Sequence, residues 1–317
     1  MKPHTPPPAP AATLAATLRS LFLAARPKTL PAGLVAVWAG CLVVYKYAEA
    51  FPDAGLSVSP MLAVCTALSS VCIQIACNFF NDALDSRRHA DTARRQGPMR
   101  ITANGRMSAR AVQIWGCVFL AAAAAAAVPL IMAQGWGVAA IGIPCMICAY
   151  IYTGGPYPLA YHGLGELFVL LFFGLVAVVG TVYVQVGWHP DYGAMYIAAF
   201  MVGTVCGLLS CLLIEVNNIR DRAEDSTTGK RTLAVRLGEK RARGLAIAFL
   251  VAPYVVIRHL AAMLPGVGFN YAWPCAILVA GVILHKLMHT PADKRMNVLL
   301  ALASLHMILY ILALTLG

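Results

Sequence analysis

Nine stretches of this chain are each long enough and apolar enough to cross a lipid bilayer, and they leave little polypeptide for anything else. A transmembrane helix needs about 20 mostly apolar residues, because backbone N–H and C=O groups inside the hydrocarbon must be satisfied within the segment. The stretches are 29–48, 60–84, 108–133, 135–153, 163–187, 193–216, 243–263, 270–289 and 296–316. They predict an all-α, polytopic membrane protein whose nine transmembrane helices form one bundle over residues 19–317. Composition agrees, since 60% of residues are hydrophobic and 12% charged, which excludes an ordinary soluble domain. Residues 1–18 are rich in Pro and Ala and lack the order of a signal peptide, so they read as a disordered cytoplasmic tail.

Lysine and arginine set the orientation. Of the 24 such residues, 22 fall at the N-terminus, after the second span, after the sixth, or at the end of the eighth with its following loop. Only Lys46 and Arg258 fall on the opposite side. The expected N-terminus is therefore cytoplasmic, the C-terminus outside, and the membrane a bacterial-type inner membrane with the charged loops facing the cytoplasm. The net charge of +11 then reflects topology and attraction to anionic lipid, not nucleic acid. Nearly all ten cysteines lie inside spans, where a thiol behaves as a small hydrophobe. Cys145 and Cys148 have redox-motif spacing but sit mid-membrane with no histidine partner. His285 and His289 are four apart with no third ligand and read as interfacial polar residues.

Two charged segments, expected as cytoplasmic loops 81–107 and 217–242, carry the chemistry. The first follows Asn78 at the end of the second span and holds Asn81, Asp82, Asp85 and Asp91; the second holds Asn217, Asn218, Asp221 and Asp225, then Lys230 and Arg231. Asn81/Asp85 and Asn217/Asp221/Asp225 are spaced by four, so each set lies on one helix face, one turn above the next. Such a face repels itself unless a cation neutralises it. Hard oxygen donors suit Mg²⁺, which takes one or two carboxylates and completes its shell with water and phosphate oxygens. Interleaved Arg87, Arg88, Arg94, Arg95, Lys230 and Arg231 suit phosphate itself. Two such faces from opposite halves of the chain predict a metal–diphosphate clamp. Solvated topology loops are the plainer alternative for either segment alone. Asn78 and Asp82 also sit near the membrane boundary, where polar side chains are costly and usually functional.

In order and spacing these segments, together with four others, resemble the UbiA-type intramembrane aromatic prenyltransferases. The other stretches are Arg26-Pro-Lys28-Thr-Leu-Pro31, Gly97-Pro-Met-Arg100 through Gly105, Tyr152-Thr-Gly-Gly-Pro-Tyr157 and Gly163-Leu-Gly-Glu166. Within that family the chain is similar to the 1,4-dihydroxy-2-naphthoate polyprenyltransferases of menaquinone synthesis, over about Arg26 to Gly238. Glu166 stands where the pattern has Asp, and the five-residue gap from Asp85 to Asp91 differs from the shorter gap of the 4-hydroxybenzoate branch.

The resemblance implies a Mg²⁺-dependent transfer of a polyprenyl group from an allylic diphosphate to dihydroxynaphthoate, with loss of CO2. It implies metal ligands at Asn81, Asp82, Asp85, Asn217, Asp221 and Asp225, with Asp85, Asp221 and Lys230 central to turnover. It places diphosphate contacts at Arg88, Arg100, Lys230 and Arg231, with Asn78 nearby. Arg26 and Lys28 are candidates for the acceptor carboxylate, Tyr152 and Tyr157 for the acceptor pocket, and Glu166 for orienting a cation. Tyr152, Tyr157 and Phe80 are also candidates to shield a carbocation. Small residues Ala121 to Ala127 mark close helix packing or the wall of a dry cavity. Another aromatic acceptor, such as 4-hydroxybenzoate or homogentisate, and a non-enzymatic transporter remain the alternatives at this stage. Prenyl chain length and oligomeric state are not encoded legibly.

Overall fold

In a computed structural model, which describes residues 14–88, 96–97, 100–264 and 266–317, all regular structure among the described residues is helical. The helices are α1 Leu14–Ala24, α2 Pro31–Ala50, α3 Pro60–Arg87, α4 Ala109–Gln134, α5 Gly137–Ile151, α6 Gly165–Val186, α7 Gly193–Thr227, α8 Leu233–Leu260, α9 Ala272–His289 and α10 Asn297–Leu316. Eight of them, α2 to α4 and α6 to α10, are long and apolar enough to cross a membrane. The fourth expected span, 135–153, is instead the 15-residue α5. At about 1.5 Å per residue it is roughly 22 Å long, short of a hydrocarbon core of about 30 Å.

Local chemistry sets the boundaries. Ser59 and Ser108 cap α3 and α4 by accepting hydrogen bonds from Leu62 N (3.4 Å) and Ala111 N (3.2 Å). Proline at the first helical position starts both α2 and α3. Gly135 and Gly187, with φ of 73° and 70°, stop α4 and α6 in a backbone conformation that other residues avoid. Gly238 (φ 74°) breaks α8 just after its cap at Thr232. The expected tail reaches only part-way: residues 1–13 lie outside the described residues, whereas Leu14–Leu18 belong to α1. There the tail reading is corrected, because Leu21 and Ala24 bury against Ile75 and Phe79 of α3 and hold the helix in place.

Helices α2 and α7 form the middle of the bundle; Ala36, Ala39 and Val43 meet Ala198, Val202 and Leu209 in one continuous core. Close approach depends on glycine. A methyl on Gly207 of α7 would sit 2.8 Å from the carbonyl oxygen of Leu170 in α6. Opposite it, residues Leu170–Val176 of α6 run as a π-helical segment. This wider turn brings Gly174 against Gly203 and Gly207.

The lengths of α3 and α7 position the site. With 28 and 35 residues they extend about 42 and 52 Å, well beyond a hydrocarbon layer of about 30 Å. Both Asp-rich motifs lie on these extensions. The expectation of loops beginning at residues 81 and 217 is therefore corrected: the chain stays helical to Arg87 and Thr227.

Candidate active site

The C-terminal half of α3 is fastened from several directions. Gln74 Nε2 donates to Thr29 O (2.8 Å) and Asn78 Nδ2 to Ala25 O (2.9 Å), which fixes the joint between α1 and α2. At that joint Arg26 has φ 55°, the one non-glycine residue with positive φ among the described residues. Such a conformation costs energy and marks a position under constraint.

Asp85 is the hub. Its Oδ2 accepts from Arg100 Nη2 (2.8 Å) and from Lys230 Nζ (2.9 Å), and its Oδ1 accepts from the Tyr161 hydroxyl (2.9 Å). The carboxylate is 2% exposed, so these charge-assisted bonds are formed largely out of water. Lys230 belongs to the second motif and Asp85 to the first, 145 residues apart, so this contact brings the two motifs together. Lys230 Nζ and the Arg88 guanidinium each lie 5.1 Å from the Tyr161 ring centroid, and Arg88 also donates to Gly155 O (2.8 Å).

Asp82, expected as a metal ligand, is engaged by the turn that follows the first motif. Its carboxylate accepts from the backbone N–H of Ile101 and of Thr102 (both 3.1 Å) and from the Thr102 hydroxyl. It thereby shapes the turn that returns Arg100 to Asp85. Asn81 accepts from the Thr153 hydroxyl and so ties α3 to the segment after α5.

On α7, Asn217, Asp221 and Asp225 share a face as their spacing predicts. Asn217 Nδ2 donates back to Leu213 O (3.1 Å), and Asp225 O accepts from Lys230 N (3.1 Å), which closes the turn carrying that lysine. Asp221 is held by its neighbour: Arg220 Nε and Nη2 reach its two oxygens at 2.7 and 2.6 Å. Arg220 Nη1 donates to Asn297 Oδ1 (2.7 Å). Glu166 accepts from Asn218 Nδ2 (2.6 Å) and not from an arginine or lysine.

These groups surround one cavity of about 940 Å³. Its mouth is lined by Asn81, Asp85, Asp221, Asp225, Arg100 and Lys230; Asn78, Asn217, Arg26, Lys28, Tyr152 and Glu166 line it too. The rest is apolar and continues past Gly142, Gly180 and Ala127 to Leu130, Val184 and Thr66. From Asp85 to Thr66 along α3 is 19 residues, about 28 Å of helix, so the cavity runs through most of a bilayer's thickness.

Four of the expected site residues do not line it: Asp82, Arg88, Arg231 and Tyr157. Arg231 uses its backbone N–H on Tyr161 O, and Tyr157 is exposed and stacks on His162 at 3.5 Å. Phe80 points away, edge-on to Tyr150 and against Gly116, so it does not shield the cavity. Asp91, Arg94 and Arg95 lie outside the described residues. Sequence reading missed Tyr161, Arg220, Asn297 and Thr153. Arg220 directly precedes Asp221 in the second motif, but nothing in spacing alone distinguishes its role.

Fold and site together define an integral membrane enzyme that serves a substrate with a polyanionic head and a long apolar tail. The chain belongs to the UbiA prenyltransferase family, whose model matches residues 50–308. It is 38% identical over 221 residues to the 1,4-dihydroxy-2-naphthoate octaprenyltransferase of Mycobacterium tuberculosis, covering 70% of each chain. It is 34% identical over 233 residues to the enzyme of that name from Haemophilus influenzae, covering 71% of each. The Escherichia coli enzyme of the same name is 30% identical over 267 residues, covering 82% of this chain and 81% of its own. Among solved structures, a UbiA homolog from Aeropyrum pernix superposes with a TM-score of 0.68 at 16% identity, covering 90% of this chain and 96% of its own. A UbiA homolog from Archaeoglobus fulgidus bound to GPP and Mg²⁺ gives 0.58 at 16% identity, over 95% and 99%. Family membership sets aside the transporter alternative.

Proposed function

We propose that this protein transfers a polyprenyl group from an allylic prenyl diphosphate to 1,4-dihydroxy-2-naphthoate, releasing diphosphate and CO2 and giving demethylmenaquinol, the hydroquinone form of demethylmenaquinone. The reaction takes place at the cytoplasmic face of a bacterial-type inner membrane; with the short α5 counted as a crossing beside the eight long helices, the segments number nine and the C-terminus lies outside. The observation that carries this reading is the cavity, which joins a mouth of carboxylates and cations to an apolar channel of bilayer length. The shared name of the bacterial relatives supplies the acceptor and favours an octaprenyl donor.

Mg²⁺ fits the donor set. Among the described residues, no three acidic, histidine or cysteine side chains gather closely enough to hold a metal unaided. That suits an ion which takes one or two carboxylates and completes its shell with phosphate oxygens. Asn81 and Asp85 from α3 would hold one such ion and Asp221 and Asp225 from α7 another, each completed by phosphate oxygens and water; Asn217 stands one turn below. When bound, Mg²⁺ neutralises charge that builds on the departing diphosphate.

The chain's own residues do the rest. Lys230 and Arg100, both within hydrogen-bond distance of Asp85, would bind phosphate oxygens if that carboxylate were taken up by the ion. The donor's C1–O bond breaks as diphosphate leaves, and C1 bonds to the ring carbon that bears the carboxylate. That carbon then loses CO2, and its bonding pair restores aromaticity. The apolar channel walls exclude water from the cationic C1 until the ring attacks. Arg26 and Lys28, at the strained joint beside the cavity, pair with the acceptor's carboxylate, and Tyr152 lines the ring pocket.

Purified protein in detergent or lipid vesicles tests this directly. With octaprenyl diphosphate, dihydroxynaphthoate and Mg²⁺ it should give demethylmenaquinol, read as the quinone after air oxidation, by liquid chromatography and mass spectrometry, and chelation should stop the reaction. Prenylation of 4-hydroxybenzoate or homogentisate in preference to the naphthoate would overturn the acceptor assignment.

A further inference from the structure

The Arg220–Asp221 pair is unusual as a helix contact. Side chains at i and i+1 point about 100° apart around an α-helix and do not normally face one another. Here the Arg220 guanidinium nevertheless folds round onto both oxygens of Asp221, at 2.7 and 2.6 Å, while only 2% exposed. The extra constraint comes from α10. Its first residue, Asn297, accepts Arg220 Nη1 at 2.7 Å, from 77 residues away. Asn297 Nδ2 donates in turn to Gln96 O (3.4 Å), and Lys294 N donates to Gln96 Oε1 (3.3 Å). The start of α10 therefore bridges the segment after the first Asp-rich motif to the arginine that holds the second. Arg220, Asp221 and Asn297 all line the cavity.

We propose that Asn297 is a positioning residue: it keeps the Arg220 guanidinium beside the cavity mouth, so that Asp221 can be released to a divalent cation without Arg220 following it. This rests on the reading of Asp221 as a metal ligand. For the ion to bind, Asp221 must free at least one oxygen from Arg220. A guanidinium with no other anchor competes for that oxygen, whereas one fixed by Asn297 stays in place and faces the incoming diphosphate as a fixed positive charge. Groups that orient a metal ligand in this way commonly change affinity by about 10–100-fold when removed.

The test is Mn²⁺ binding to the purified full-length protein with inorganic diphosphate present, followed by the electron paramagnetic resonance signal against a protein-free control and needing no turnover. Asn297→Ala should bind Mn²⁺ roughly ten-fold more weakly than wild type. Asn297→Asp, which keeps an acceptor for Arg220 and draws the guanidinium from Asp221, should bind within a few-fold of wild type or more tightly. A merely structural role, the link to Gln96 O, predicts the reverse for Asp, because a carboxylate cannot donate there. Equal weakening in Asn297→Ala and Asn297→Asp, or no weakening in Asn297→Ala, overturns the proposal. Wild-type protein that takes up no Mn²⁺ beyond the protein-free diphosphate control overturns the metal reading itself, and this inference with it. If Asn297→Ala does not yield folded protein, Asn297→Asp against wild type still decides: a ten-fold loss there also overturns it.

Discussion

Lys230→Gln and Asp85→Asn, made singly and together, test the contact that joins the two motifs. Lys230 Nζ stands 2.9 Å from Asp85 Oδ2, with side chains 13% and 2% exposed, so solvent screens the pair little. A hydrogen bond between such charged groups contributes about 1.5–3 kcal/mol net. Asp85→Asn should cost more than that, because it also strands Arg100, itself 2.8 Å from the same oxygen; breaking a buried pair from one side costs about 3–5 kcal/mol. Lys230→Gln should cost less, since Arg100 and Tyr161 still satisfy Asp85. The double variant should therefore be more stable than the sum of the singles predicts, with a coupling of about 1.5–3 kcal/mol. Denaturant titration in detergent, followed by tryptophan fluorescence, measures that coupling wherever unfolding is reversible. Turnover gives a second readout. Each single variant should lose at least about a hundred-fold in kcat, which corresponds to roughly 2.7 kcal/mol of lost transition-state stabilisation. Additive stabilities, within about 0.5 kcal/mol, would show that the contact does not bind the two halves. Wild-type turnover in either single variant would refute the role of the pair in diphosphate departure.

Other perturbations address separate parts of the molecule. Asp221→Ala should abolish product formation while the protein still inserts and elutes as wild type from a sizing column; retained turnover removes Asp221 from the clamp. Asp82→Ala should act through the turn it shapes, leaving Ile101 and Thr102 N–H without their acceptor. We expect faster proteolysis near Arg100–Arg106 and about ten-fold weaker activity, against complete loss if Asp82 were a metal ligand. Gly207→Leu should prevent α6 and α7 from meeting, because even a first carbon would lie 2.8 Å from Leu170 O; little recoverable protein and a Tm lower by several degrees would follow. Alkaline phosphatase fused after Gly317 should be active in cells, and a fluorescent protein at the same point dark, if the C-terminus lies outside.

Long apolar runs made the membrane class and most helix positions legible, since hydrocarbon imposes a length and a composition on each crossing. The facing of Asn81 with Asp85, and of Asn217 with Asp221 and Asp225, followed from the helical repeat alone. Hydropathy could not show where α3 and α7 end, because both continue three to eleven residues past their apolar stretches on polar sequence. Nor could it show α1, which is only 11 residues long and depends on packing against Ile75 and Phe79. The turn contacts of Asp82 were hidden for a similar reason. In the sequence it is one more carboxylate among others, and only the folded turn at Ile101–Thr102 discloses which partners reach it first. Tyr161 and Asn297 were illegible because their partners, Asp85 and Arg220, are 76 and 77 residues distant. Periodicity reports neighbours along one helix and is silent about such distant pairs.

The link from Asp85 to Lys230 also imposes an order on biosynthesis. The ribosome must add 145 residues after Asp85 before its lysine partner exists, which at about 5–20 residues per second takes roughly 7–30 s. During that interval α3 and α4 can already enter the membrane, with Arg100 as a nearby counter-charge for Asp85. The half-made protein thus has a provisional neutral pair at the site of its later chemistry, and the mouth assembles only when the start of α8 emerges. A truncation ending before Lys230 should therefore insert its first helices normally yet leave the catalytic mouth open.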